Sequence, residues 1–559
     1  MVQKLARVPI AKHGLHAHKY NFPFLGSFRF MEVTPVYSNY LRIGEKDNPR
    51  FSLFSRLNPL TNAAFVTGRY KYQAFFCPFK YVFRPWYHFD TGTVYNSVTG
   101  VIEKAPFMDY SYIKTAFLTG NTWVLTGTSS DYDLKISNTY FKFTQRGKRV
   151  LKILNSLGYS PIWGTTKKDI NILPLLCYLR IYQNYVFPNA YVGDPHYNAI
   201  DDFIQMEDPD YSSPAKASNL LLLLDKAGTA FYENSIFDMA FDSPLGPNTN
   251  VPVPNVSIKD NTINNGDSIV TNPNDAPASG VTDKLTKFMV DGVQSLTNFV
   301  KRYQLAGGRL LSRLLVSRGE KPNNDTVLKP YFLGEKTVEI NVDAVENNSD
   351  TNLGELAGKG FASSGEEPFA FECDAIDDGM FFVIQTVLPD CELVVTNDGF
   401  NYCTGQLEFY HPDFDKLGVS VVDGSCICAP LSTDITVGTN FGYLNQYWYR
   451  LADRGRLVGD FRYKTSGSEE LKSYYPFRVL DESTVPATGV FHSYDFVDSL
   501  YDSSQYQRFF YSGDCDNLFV YLRIIGTQYL EKLPLGDSYD WDDDEFNKKV
   551  SVVLSGSQK

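Results

Sequence analysis

Histidines, cysteines and clustered carboxylates are the residues of this chain that could do chemistry, and their spacing argues against catalysis. Seven His stand at positions 13, 16, 18, 88, 196, 411 and 492. His13, His16 and His18 crowd one N-terminal segment, but an irregular segment offers a metal no fixed tetrahedral geometry, so a surface cluster is expected there. Asp208 and Asp210 are spaced as calcium ligands can be, yet their loop lacks the glycine and the distal Glu of an EF-hand, so they read as solvated loop acids. Cys426 and Cys428, in GSCICAP, would share one face of a strand, which suits packing at least as well as redox work; packing is the expectation. No P-loop, paired-His zinc helix, G-x-G-x-x-G after a strand, G-x-S-x-G elbow or C-x-x-C pair is present. The expectation is a non-enzyme with no catalytic residue, no metal and no cofactor.

Charge is the one chemical feature that competes with a purely structural account. The whole chain carries a net charge of −12, which repels nucleic acid at long range. Residues 1–60 nevertheless hold nine basic side chains (Lys4, Arg7, Lys12, Lys19, Arg29, Arg42, Lys46, Arg50, Arg56) against three acidic ones (Glu32, Glu45, Asp47). Lysines and arginines on an extended segment neutralise phosphates without a fixed docking surface. Interleaved aromatics such as Tyr20, Phe22 and Phe24 can stack on bases. Lys4, Arg7, Lys12, Lys19 and Tyr20 are therefore the candidate DNA contacts, at even weight with a reading in which the aromatics anchor the arm to a neighbouring subunit. A second basic group, Lys142, Arg146, Lys148, Arg149 and Lys152, is explained equally well as a solvated face. The acidic stretch Asp537, Asp540, Asp542, Asp543, Asp544 and Glu545 reads as a solvated tail.

The elements that must position these residues are mostly strands. Among 559 residues, 41 Phe and 37 Tyr against 5 Trp favour half-buried pleated surfaces, and 40 Gly with 29 Pro are spread along the chain as frequent turns would be. Eight cysteines are too few for a disulfide framework and read as reduced core residues. The start lacks the apolar stretch of a signal peptide, and no run of about 20 apolar residues spans a membrane. Residues 1–30 read as a basic arm that orders only against a neighbour or a ligand. Strands are expected over Val33 to Ile43 and Arg69 to Phe83, where Tyr70, Tyr72, Ala74 and Phe76 alternate with Lys71, Gln73 and Phe75 so that one face is buried. An insertion follows over about 84–170. A helix is expected over 171–187 from the spacing of Leu175, Tyr178, Leu179 and Tyr182, with Pro188 as its stop. A second insertion, about 188–330, contains an exposed loop at 243–280 dominated by Pro, Asn, Ser, Gly and Asp, and a helical pattern over Thr282 to Ser317. Further strands are expected at Lys336 to Val342, at Met380 to Leu388 behind a hairpin turn at Asp378 and Gly379, at Phe441 to Tyr463, and at Asn517 to Ile525 with Leu518, Val520, Leu522 and Ile524 on one face. The single domain then runs over 31–536, with the tail at 537–559.

Several segments, taken in order, resemble the major capsid proteins of microviruses, small single-stranded DNA bacteriophages, and especially their gokushovirus-like branch. They are Val33 to Asp47 (VTPVYSNYLRIGEKD), Arg56 to Phe89 with its Pro–aromatic exit at Pro78, Arg84, Pro85 and Trp86, Ile172 to Phe187, Leu296 to Pro322, Lys329 to Val342, Gly354 to Glu366, and Phe441 to Arg462. The family's early Pro-Gly-Asp turn appears here as Ile43-Gly44-Glu45-Lys46-Asp47, and residues 464–516 have no counterpart.

The resemblance implies an all-β fold, an eight-stranded viral jelly roll or antiparallel β-sandwich with long insertions that contain a few helices. It implies a structural subunit that self-assembles into a small T=1 icosahedral shell around circular single-stranded DNA. It places the insertion at 243–280 on the outer surface, with Asn248, Asn255, Asn261, Asn264 and Asn274 as its candidate exposed residues. The partners implied are further copies of the chain, the genome, a small basic DNA-packing protein, an internal scaffolding protein and a host-cell receptor, with no membrane. The setting implied is the virion, assembled in a bacterial cytoplasm. Two other classes fit the composition: a carbohydrate-binding or glycoside-processing β-sandwich, which in its hydrolytic form needs two carboxylates at a set separation, and a phage tail or spike protein, which would form trimers or fibres.

Overall fold

The structure is a computed structural model. It describes residues 15–60, 68–96, 100–119, 121–160, 168–187, 195–230, 318–346, 356–363, 368–389, 398–405, 408–412, 419–422, 442–445, 447–450 and 516–531, with 311, 314, 315, 458, 459 and 510.

The largest sheet has ten strands folded into two antiparallel layers, and its longer members are β1 (His16–Phe28), β2 (Val33–Leu41), β3 (Lys46–Leu57), β4 (Gly68–Pro78), β5 (Tyr331–Glu346), β6 (Leu356–Ser363), β7 (Gly379–Pro389) and β8 (Leu518–Leu530). In one layer the order is β1-β8-β3-β6, and in the other it is β2-β7-β4-β5. β5 belongs to both: Tyr331 to Ile340 pair with β4, and Asn341 to Glu346 pair with β6. Two short strands, Phe369–Ala370 and Cys373–Asp374, continue the line of β6 along β3.

The layers meet through rings. Phe51 of β3 packs edge-on against Tyr37 of β2 at 6.1 Å, and Tyr72 of β4 lies 4.9 Å from Phe369. Ser55 Oγ and Tyr70 OH share a hydrogen bond of 2.6 Å between β3 and β4. Strand alternation supplies this core: Phe51, Leu53, Ser55 and Leu57 of β3 face Ile524, Leu522, Val520 and Leu518 of β8 in register, all turned inward.

A buried carboxylate ties the open end. Asp47 of β3 is fully buried, and it accepts from Tyr20 of β1 (2.7 Å), from Tyr37 of β2 (2.5 Å) and from Asn39 of β2 (2.9 Å). Burial raises its pKa above the usual carboxylate value, and hydrogen bonds from Tyr37, Tyr20, Asn39 and Gln528 act against that rise. Tyr20 reaches Asp47 by lying across β8, and the residue beneath it is Gly526. A Cβ at Gly526 would stand 2.2 Å from the Tyr20 hydroxyl, so only glycine lets the ring pass.

A helical layer covers the β2-β7-β4-β5 sheet. The β4–β5 connection forms α1 (Tyr110–Leu118), α2 (Gln145–Ser156), α3 (Leu173–Ile181) and α4 (Pro214–Ala227). Every residue of α3 except Pro174 is buried. Tyr178 donates to Val33 O and Ala227 O, linking sheet to α4 through α3, and Tyr185 packs 4.8 Å from the outward ring of Phe75.

These positions amend the sequence reading. Strand outweighs helix, but the helical layer is a larger component than the few helices expected. The two expected insertions are parts of one connection, between Pro78 and Tyr331. Residues 16–28, expected to order only against a neighbour or a ligand, pair with the chain's own β8 along their full length, because the aromatic side of this segment has a sheet to lie on. Asp378 and Gly379 do not make a hairpin: the strand before them pairs with β3 and the strand after them with β4, so they turn the corner between layers. Asp378 holds that corner, accepting from the Ile43 amide (2.9 Å) and Trp86 Nε1 (3.0 Å). Of the strand expected over Phe441 to Tyr463, Gly442–Asn445 is a strand but Trp448–Arg450 is a 3-10 turn, and the rest of it together with nearly all of Thr282 to Ser317 lies outside the described residues.

Gly526→Ala is expected to lower unfolding free energy by about 2 kcal/mol in urea titration, since it displaces Tyr20 from a buried acceptor. Gly334→Ala, where the nearest atom is 3.5 Å away, is the control and should change stability far less.

Candidate nucleic-acid interface

The two sheets have unlike outer faces. One lies under helices; the other, formed by β1, β8 and β3, exposes large apolar side chains. Leu25 is 77% exposed, Phe54 46%, and Phe519, Tyr521 and Ile525 are each 41% exposed.

Register orders this face into rows that cross the three strands. From one end they run Ser27–Phe519–Arg56, Leu25–Tyr521–Phe54, Pro23–Arg523–Ser52, Asn21–Ile525–Arg50, Lys19–Thr527–Asn48 and Ala17–Tyr529–Lys46. Each row except the second carries one cation, and no acid occupies an outward position of β1, β3 or β8. Beside β3, exposed Glu372 and Asp374 flank the face, and Asp374 pairs with Lys46 at 2.9 Å. The Arg56 guanidinium sits 5.1 Å from the Phe54 ring centroid, and Arg523 Nε donates to Asn21 Oδ1 at 3.4 Å. Chemically, the face offers flat rings for stacking and evenly spaced cations for phosphates.

Of the residues singled out in the sequence, Lys19 stands exposed on this face. Tyr20 is turned the other way, its hydroxyl on Asp47 and its ring stacked on Tyr37 at 6.2 Å. Phe22 and Phe24 share its side, Phe22 stacking on Tyr37 and Phe24 on Phe28. The aromatic work on the outward face falls instead to Phe54, Phe519 and Tyr521. Their signal was in the sequence: once Leu518, Val520, Leu522 and Ile524 take one side of β8, Phe519, Tyr521, Arg523 and Ile525 must take the other. Lys4, Arg7, Lys12, His13, Cys426, Cys428 and the loop residues Asn248, Asn255, Asn261, Asn264 and Asn274 lie outside the described residues.

The second basic group is engaged by carboxylates. Arg146 and Arg149 of α2 converge on Asp225 of α4, which is 1% exposed, at 2.6 and 2.7 Å. Lys152 bridges Glu32 (2.8 Å) and Asp516 (3.0 Å), and Arg29 reaches Asp516 at 3.3 Å. Lys142 pairs with Asp131 at 2.5 Å. Arg146, Arg149 and Lys152 thereby dock α2 onto α4 and the sandwich, while the Lys142 pair is local to its own hairpin. Asp208 and Asp210 make local turns, each accepting from the amide two residues on. Among the described residues no three His, Cys, Asp or Glu side chains gather as metal ligands, and no helix is long and apolar enough to cross a membrane.

No protein-family model matches the chain, and no curated protein matches it.

The ion cluster gives a pH prediction. Burial alone would raise the pKa of Asp516, but Lys152, Ser27 and Arg29 hold it below the usual value. A depressed carboxylate adds stability above its unfolded value of about 4, and that stability is lost as pH falls through the folded value. Asp516→Asn should accordingly have a lower urea midpoint than the parent at pH 7, with the gap closing as the buffer is taken below about pH 4.

Proposed function

We propose that the chain is a structural shell subunit, a microvirus-like major capsid protein that assembles into a closed icosahedral particle around single-stranded DNA. The observation that carries this reading is the strand order β1-β8-β3-β6 facing β2-β7-β4-β5. In that order successive strands alternate between layers, except that β5 pairs with β4 over its first part and with β6 over its second. This supports an eight-stranded jelly roll, an architecture of viral shells.

Three further features support it. Among the described residues the β4–β5 connection adds a helical layer to one sheet only, which gives the subunit two chemically unlike sides. The cations collect on the bare sheet although the chain as a whole is acidic. Hydrogen bonds and ion pairs occupy the buried carboxylates Asp47, Asp225 and Glu32, whereas a glycoside-processing site needs carboxylates presented to a cleft. A shell subunit needs no transition-state chemistry; its work is to offer surfaces whose rotations close on themselves. Copies of the chain and the genome are the partners of this reading, with a scaffolding protein or a small basic packing protein as assembly aids, and the virion is its place.

Negative-stain electron microscopy of the full chain, expressed alone and with circular single-stranded DNA, is expected to show closed spheres of uniform size. A monomer under both conditions that binds a sugar array would replace this reading with the carbohydrate-binding one, and trimers or fibres would replace it with a tail or spike protein.

A further inference from the structure

We propose that Cys77 and Cys177 are a redox clasp: a small disulfide such as oxidised glutathione converts the two buried thiols to a disulfide that fastens the helical layer to the sheet beneath it. The shell reading supplies only the occasion, the passage of a released particle from a reducing cytoplasm to an oxidising medium. The chemistry stands on the side chains themselves.

Placement is the first argument. Cys77 lies on β4 and Cys177 on α3, and both are free thiols with no exposed surface. Residues two apart on a strand share a face, so Cys77 stands on the same side of β4 as Phe75. That side lies under α3 and the turn that follows it, where the Tyr185 ring packs 4.8 Å from Phe75. The Cys77 thiol is 3.8 Å from the Pro78 carbonyl oxygen, and it is within hydrogen-bonding reach of the Cys177 thiol. Tyr178, the next residue along, holds α3 in place through Val33 O and Ala227 O. The two sulfurs thus meet across the boundary between sheet and helices.

Reactivity is the second. Thiol–disulfide exchange proceeds through the thiolate. Burial pushes the Cys177 thiol well above its ordinary pKa and Cys77 pushes it the same way, while the Arg180 guanidinium opposes them. Arg180 stands three residues beyond Cys177 and is 5% exposed; its Nη1 donates to Gln183 (2.8 Å) and Asp201 (2.6 Å), but its Nε has no hydrogen-bond partner among the described residues. The thiols are therefore inert while α3 is seated, and exchange begins when the helix opens locally from the sheet. Cys177 gives its proton to water, and its sulfur attacks one sulfur of the small disulfide and expels a small thiolate, which takes up a proton. The Cys77 sulfur, losing its own proton, then attacks the mixed disulfide at Cys177 and expels the second small thiol. Two protein thiols lose two electrons and two protons in all, and the small disulfide becomes two thiols. The bond closes the long loop from 77 to 177, which contains α1 and α2, and long loops are those whose closure restrains the unfolded chain most.

The test uses the full chain incubated with oxidised glutathione. Peptide mass mapping without reductant is expected to find Cys77 linked to Cys177, and thiols titrated in denaturant should fall by two per chain from the eight present. The melting temperature should rise, and dithiothreitol should return it to the starting value. Cys403→Ser, a half-buried cysteine elsewhere, should leave the linkage intact, and Cys77→Ser should abolish it. The map of the parent chain decides the matter even where Cys77→Ser fails to fold. Both cysteines recovered as free thiols after prolonged exposure would overturn the inference, as would either one carrying glutathione or joined to a different cysteine. A 77–177 linkage that leaves the melt unchanged would also overturn it, since that bond fastens nothing. Particle formation plays no part in these measurements, so a chain that forms no particles loses the shell reading while the map still decides the clasp.

Discussion

Everything on the bare face depends on a carboxylate that points away from it. Asp47 gathers hydroxyl and amide donors from β1 and β2, with Gln528 of β8 adding a further hydrogen bond, and it lies between the two layers. Removing an acceptor that serves several buried donors leaves each unsatisfied, at about 1–3 kcal/mol apiece. The consequence is positional. With Tyr20 fixed on Asp47, the parity of β1 is set, and Lys19, Asn21, Pro23 and Leu25 must face outward. A slip of one residue would reverse every side chain on the strand. The outward rows are thus the far side of an inward hydrogen-bond cluster.

Charge elsewhere follows the same logic. The Arg146–Asp225–Arg149 and Lys152–Glu32–Asp516 groups are taken out of water at some cost, and their main effect is to fix where α2 sits. That placement keeps the described part of the insertion on one sheet. The other sheet stays uncovered by helices among the described residues, and Pro23 in edge strand β1, which lacks an amide donor, discourages a further strand from adding there.

How much was legible beforehand varied with the kind of strand. β2, β4, β5, β7 and β8 announce themselves through aromatic and β-branched density, and the helix at α3 through its spacing. β3 does not: KDNPRFSLFSRL places charged or polar residues at nearly every outward position and Asp47 and Ser55 at inward ones, so its hydrophobic alternation is diluted. β1 was obscured by its charge, which suited an arm, while its parity depends on a residue 27 positions away. The basic group on α2 could not be told from a solvated face because its partners, Asp225 and Asp516, are distant in sequence. Local pattern shows which residues alternate, and only tertiary pairing shows which side faces in.

β5 gives the subunit a mechanical property. Because Tyr331–Glu346 is hydrogen-bonded to β4 over its first part and to β6 over its second, the two layers are joined along that edge by an unbroken backbone. Load applied to one layer passes to the other through one continuous strand there, whereas at the Asp47 end it passes through the short turn at residues 42–45, the corner at Asp378 and Gly379, and the Asp47 hydrogen bonds. Shear between the layers is therefore resisted by a shared strand at one margin and by two short backbone crossings braced by a buried carboxylate at the other, so the sandwich is clamped at both margins.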